Sequence, residues 1–121
     1  MKVFLNPGHA PDGYPDPGAV NSETGLRECD VALAVGKSAA SYLNAAGVET
    51  ELLQFNSLEE ICEAANTSDA DIFLSIHCNA AEAEEANGTE TWACAAVAMA
   101  AYWPATSRAS WSMPSIPLTV A

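Results

Sequence analysis

His9 and His77 are the only two histidines in the chain, and they stand among 16 acidic residues and four cysteines. Two imidazoles and one carboxylate are a standard ligand set for a catalytic zinc ion, which takes three protein ligands and keeps a fourth position for water. Each residue also has a plainer reading. His9 in a loop is an exposed side chain, and His77 at a strand end is a hydrogen-bonded boundary residue. Glu28 opens a predicted helix, where a carboxylate is favoured by the helix dipole without any metal. Asp12, Asp16 and Glu23 are rival carboxylates, and spacing alone does not choose among them.

What favours the metal is where the surrounding elements must put the histidines. Residues 2–6 (KVFLN) form an apolar run stopped by Pro7-Gly8, the pattern of a buried strand ending in a turn. Residues 7–25 are rich in Pro, Gly, Asp and Asn and read as a long functional loop. From Glu28 the apolar residues Val31, Leu33, Val35, Ala39, Tyr42 and Leu43 suggest a helical stripe, with Gly47 just past the helix end. Residues 48–54 alternate as a strand should. Ser57 and Glu60 form a capping box that opens a second helix running to about Asn66. Residues 71–77 (DIFLSIH) read as a buried strand, and residues 89–93 (TETWA) as a fourth. Strands alternating with helices predict an α/β fold: a mainly parallel sheet with helices on both faces. Ligands gather at the carboxyl ends of such strands. His9 follows the first strand and His77 ends the third, so both fall on one edge.

Composition sets further bounds. The length of 121 residues suits one domain, and 50% hydrophobic residues are enough for a core. No stretch approaches the roughly 20 apolar residues of a membrane span, and the N-terminus carries no signal-peptide core, so synthesis in the cytoplasm is expected. A net charge of −12 argues against nucleic acid as a partner, because phosphate binding needs Lys and Arg. Cys29, Cys62, Cys78 and Cys94 form no C-x-x-C pair and read as reduced, buried thiols.

Four ordered segments add what spacing does not. Asn6-Pro7-Gly8-His9 followed by Asp16-Pro17-Gly18-Ala19 resembles the opening of the zinc-dependent N-acetylmuramoyl-L-alanine amidases of bacterial autolysins and phage endolysins. Gly25-Leu26-Arg27-Glu28, running into Val31-Ala32-Leu33, resembles that family's second ligand at a helix start. Ala65-Asn66, then Ala70 through Asn79-Ala80, is similar to its third-ligand strand, and Gly88-Thr89-Glu90-Thr91-Trp92 to the strand after it. The resemblance implies an amidase/phosphorylase-like fold, with Zn2+ held by His9, Glu28 and His77 and the site ordered by Asn79. It also implies peptidoglycan as substrate, cut between N-acetylmuramic acid and L-alanine. The family often has a second Gly after the first His, where this chain has Ala10-Pro11.

The family's general base is a glutamate on a strand near the C-terminus, and no match for it is found. All the acids fall at or before Glu90. Glu90 and Glu23 are the substitutes the chain offers, and nothing in the sequence places either within reach. Residues 1–94 read as the N-terminal part of a zinc amidase domain. Residues 95–121 read as an aberrant tail, Ala-rich and then rich in Trp, Pro and Ser. A shifted reading frame is the expected cause, which translation of the encoding DNA in its other frames decides; the competing reading is a natural, divergent tail. A domain incomplete at its C-terminus should expose a sheet edge, through which the chain could pair as a homodimer. The competing functions are a non-catalytic peptidoglycan- or metal-binding module and a zinc peptidase of another family. The expected place of action is the bacterial cell wall, by a phage or prophage lysis enzyme or after export by another route.

Overall fold

The buried run Val3-Phe4-Leu5 anchors strand β1 (Lys2–Pro7), which among the described residues lies at the centre of a three-stranded, all-parallel sheet of order β2-β1-β3. The computed structural model describes residues 1–80, which form one unit, and residues 88–91, which belong to another. Helix α1 (Glu28–Ala45) connects β1 to β2 (Glu49–Leu52), and helix α2 (Leu58–Thr67) connects β2 to β3 (Ile72–Ile76). Side chains alternate across a strand, so Val3, Leu5 and Pro7 face one side and Phe4 and Asn6 the other. Gly36 of α1 lies against Pro7, Leu52 and Ile76 on the first side. Phe4 stacks on Phe73 on the second, where both line a cavity with Cys62, Ala65 and Asn66 of α2. Helices therefore lie on both faces, as the strand–helix alternation predicts.

Local signals set most boundaries. The Ser57 hydroxyl caps α2 by accepting the Glu60 N–H at 3.3 Å. Helix α1 ends at Ala45, and Gly47 follows with φ +80°, a conformation that costs glycine little. Lys2 fastens the end of the sheet remote from the histidines, its Nζ 2.8 Å from Asp69 and 3.0 Å from Glu51. No helix among the described residues is long and apolar enough to cross a membrane.

Four expectations need correction. The buried stripe of α1 is Cys29, Ala32 and Gly36, whereas Val35 is 49% and Tyr42 80% exposed. Size explains this: the helix approaches the sheet closely, and only small residues fit beneath it. Strand β3 is not buried, with Ile72, Phe73 and Leu74 each more than 40% exposed. Among the described residues it lies at the sheet's edge, and apolar content alone does not report what covers a strand. Residues 88–91 form no strand; Trp92 and Ala93, the rest of the expected fourth strand, lie outside the described residues, as does the tail at 95–121. Cys62 is exposed rather than buried, while Cys29 is fully enclosed.

A Cβ on Gly36 would meet Pro7 Cγ at 2.8 Å and Leu52 Cδ1 at 3.3 Å. Replacing Gly36 with Leu should cost about 1–3 kcal/mol by overpacking, despite leucine's better helix propensity. Urea unfolding measures this, and an unchanged midpoint would refute the close helix–sheet contact.

Candidate metal centre

The parallel ladder between β1 and β3 continues past the strands. Gly8 donates its N–H to the Ile76 carbonyl at 2.8 Å, which sets His9 and His77 side by side at the carboxyl edge. The two rings meet edge to face, centroids 4.9 Å apart. His9 has φ +68°, a left-handed backbone that costs a non-glycine residue about 1–3 kcal/mol and is typical of functional positions.

The loop between β1 and α1 delivers the carboxylate. Arg27, the residue before α1, caps nothing with its side chain. The helix start is satisfied instead by the loop: Glu28 N–H donates to Ala19 O at 2.8 Å and Cys29 N–H to Pro17 O at 3.1 Å. Ala19 returns the contact, its N–H reaching Glu28 Oε2 at 3.0 Å. The Arg27 guanidinium grips Asp30 with two nitrogens, at 2.7 and 2.9 Å, and Asp12 O with a third contact at 2.7 Å. Glu28 is thereby held only 7% exposed, aimed at the histidines.

Three donor atoms converge. Glu28 Oε1 lies 3.0 Å from His9 Nε2 and 3.2 Å from His77 Nδ1, and the two nitrogens are 3.3 Å apart. Ligands 2.0–2.1 Å from a tetrahedral zinc sit about 3.3 Å from one another, so the triangle has the dimensions of one face of such a site. Two imidazole nitrogens and one carboxylate oxygen also match the ligand chemistry. His9, Glu28 and His77 form the one such group among the described residues that could hold a metal. The cradle leaves no spare room: a Cβ on Gly8 would collide with the His77 ring, and one on Gly18 would meet His9 Nε2 at 2.6 Å and Glu28 Oε2 at 2.7 Å. Half of the His77 side chain is exposed, which leaves the triangle open on that side.

Electrostatics agree with the geometry. Burial opposes charge on His9, but hydrogen bonds to Asp16 and Glu28 outweigh it and raise the imidazole pKa above its usual value. Burial also opposes charge on Glu28, yet the N–H groups of Ala19 and Cys78, with His9, hold its carboxyl below the usual range. The Cys78 N–H is the shortest of these, 2.7 Å from Glu28 Oε1. The Cys78 thiol is pushed up by burial and by the nearby Glu28 charge.

Of the rival carboxylates, Asp16 lies behind His9, its Oδ2 2.9 Å from Nδ1. The group omits Asp12 and Glu23. Asn79 is exposed two residues beyond His77. Glu90 belongs to the other unit, and the triangle is assembled without it. Sequence reasoning missed Gln54, whose Nε2 donates to Gly8 O at 3.0 Å and to Cys29 O at 2.9 Å. It ties the backbone beside one histidine to the backbone beside Glu28. Its only sequence signal is a polar residue at the carboxyl end of a strand.

The family model described as N-acetylmuramoyl-L-alanine amidase matches residues 3–113. The chain belongs to the N-acetylmuramoyl-L-alanine amidase family. It is similar to the N-acetylmuramoyl-L-alanine amidase LytC of Bacillus subtilis, 39% identical over 94 residues that cover 74% of this chain and 18% of that protein. Among solved structures, the amidase AmiC2 of Nostoc punctiforme aligns with a TM-score of 0.59 at 35% identity, over 68% of this chain and 46% of that one. An N-acetylmuramoyl-L-alanine amidase from Clostridium difficile 630 aligns with a TM-score of 0.62 at 28% identity, over 73% of this chain and 48% of that one. The chain therefore spans about half the length of these structures, and the residues matched by the family model include His9, Glu28 and His77.

The shifted groups give the amidase-family chain a pH signature in chelator-treated protein. Glu28, with its pKa lowered from 4.5, adds stability that is present above that value and lost as pH falls through the folded pKa. His9, with its pKa raised from 6.5, adds stability that is full below that value and lost as pH rises through the folded pKa. The network should therefore stabilise most between pH 4.5 and 6.5. Denaturation midpoints across pH, compared with Glu28→Gln, measure it; parallel curves for the two proteins would refute the coupling.

Proposed function

We propose that this chain carries the zinc-binding part of an enzyme that hydrolyses the amide between N-acetylmuramic acid and L-alanine in bacterial peptidoglycan. The observation behind it is the triangle of His9 Nε2, Glu28 Oε1 and His77 Nδ1, with edges of 3.0 to 3.3 Å, in a chain of the amidase family. These residues would hold Zn2+. When bound, the ion supplies a Lewis acid that polarises an amide carbonyl and brings the pKa of water toward neutrality. The protein's own part is to hold the three donors at fixed distances and to satisfy the remaining lone pairs of Glu28 with the N–H groups of Ala19 and Cys78. The open side at His77 is where a lactyl amide would approach, and Asn79, two residues on, would order that approach. Cleavage leaves a free amino group on L-alanine and places the site of action in the cell wall.

Replacing His77 with Ala should abolish stoichiometric zinc in the purified full chain, measured by metal analysis after dialysis; zinc retained by that variant would refute the ligand assignment. Purified cell walls separate the functional readings. Release of L-alanine N-termini supports the amidase. Wall binding without release supports a non-catalytic module, and release of C-terminal amino acids from peptide stems a zinc peptidase.

We further infer that β3 supports self-pairing, from the exposure of Ile72, Phe73 and Leu74 at 45%, 48% and 42%. Sedimentation should show a dimer that Phe73→Lys weakens; a monomer at every concentration would overturn this.

A further inference from the structure

Asp16 lies outside the triangle of donors, yet its side chain is tied to it. Oδ2 sits 2.9 Å from His9 Nδ1, on the side of the ring opposite Nε2, and Oδ1 accepts the Gly18 N–H at 3.0 Å. The Asp16 carbonyl accepts the Ala10 N–H at 2.9 Å, so the residue is held at its backbone as well. A neutral imidazole carries its proton on one nitrogen only, and the nitrogen that binds a metal must be bare. A carboxylate at Nδ1 can only accept, so it favours the proton there and leaves Nε2 bare toward Glu28 and His77. A ring left unheld at Nδ1 would have to be oriented on metal binding at added entropic cost, and Asp16 removes that freedom from His9.

Both oxygens of Asp16 are in use, and each faces a donor. Only a carboxylate meets both demands. An asparagine has one acceptor: if its oxygen keeps the Gly18 N–H, its NH2 group faces His9 Nδ1 and favours the opposite tautomer, with the proton on Nε2. We propose that Asp16 is a positioning residue that fixes the tautomer and ring orientation of His9, so that Nε2 is presented as the ligand atom. This rests on the zinc reading of the triangle.

The test uses the full chain and zinc alone. Asp16→Asn preserves size and the turn at Gly18, so a merely structural role predicts little change. The tautomer role predicts zinc affinity about 10- to 100-fold weaker by competition with a chromogenic chelator. In the zinc-loaded wild type, nitrogen NMR should show the His9 Nδ1 proton protected from exchange with water. In zinc-loaded Asp16→Ala that protection should be lost, while circular dichroism stays that of the wild type. Affinity within twofold of wild type for Asp16→Asn, or an unchanged Nδ1 proton in Asp16→Ala, overturns the proposal. A wild-type chain that binds no zinc overturns the metal reading itself, and this inference with it, so the two failures are distinct.

Discussion

A carboxylate taken out of water must be compensated, and the buried Glu28 imposes that condition on the whole of this site. An uncompensated charge in that position would cost several kcal/mol or force protonation. The partners that prevent this come from three stretches of chain: Ala19 from the loop, His9 from the end of β1, and His77 and Cys78 from the end of β3. The loop reaches Glu28 only because its own carbonyls satisfy the first N–H groups of α1. The histidines reach it only because β1 and β3 are parallel and in register to their last residues. Capping, sheet pairing and the site are thus one set of contacts.

The same economy of space governs packing and chemistry. Gly36 lets α1, the helix that Glu28 opens, approach Pro7 and Leu52. Gly8 and Gly18 then leave the only room in which the two imidazoles and the carboxylate can close to about 3 Å. Gln54 and Asn6 stitch the strand ends beneath them; the buried Asn6 donates to Leu53 O at 2.9 Å and accepts from Ser75 Oγ at 3.0 Å. Small residues permit the approach, and polar side chains fix it. Fixed distances matter here because a site whose donors are already placed loses little freedom when it takes a ligand.

Much of this was legible in the chain itself. The alternation of strand and helix gave the parallel sheet, and Ser57 with Glu60 marked a helix start that the structure keeps within a residue. His9 and His77 were assigned to one edge by topology alone. Less legible was everything set by what lies across from a residue. The stripe of bulky residues on α1 misled because helix–sheet distance, not hydrophobicity, selected Cys29, Ala32 and Gly36 for the interior. Strand β3 looked buried because its residues are apolar, although its place at the edge leaves them exposed.

The sequence by itself determined the order of elements and the identity of the two histidines, since periodicity and turn residues are local properties. It left four carboxylates in contention. The family resemblance pointed to Glu28, and the tertiary structure gave the physical distinction: its oxygen closes the triangle, whereas Asp16 approaches the opposite nitrogen of His9. The physical reason is that a metal reads distances and directions between atoms distant in sequence. Those are fixed by the register of β1 on β3 and by the loop folded over the start of α1.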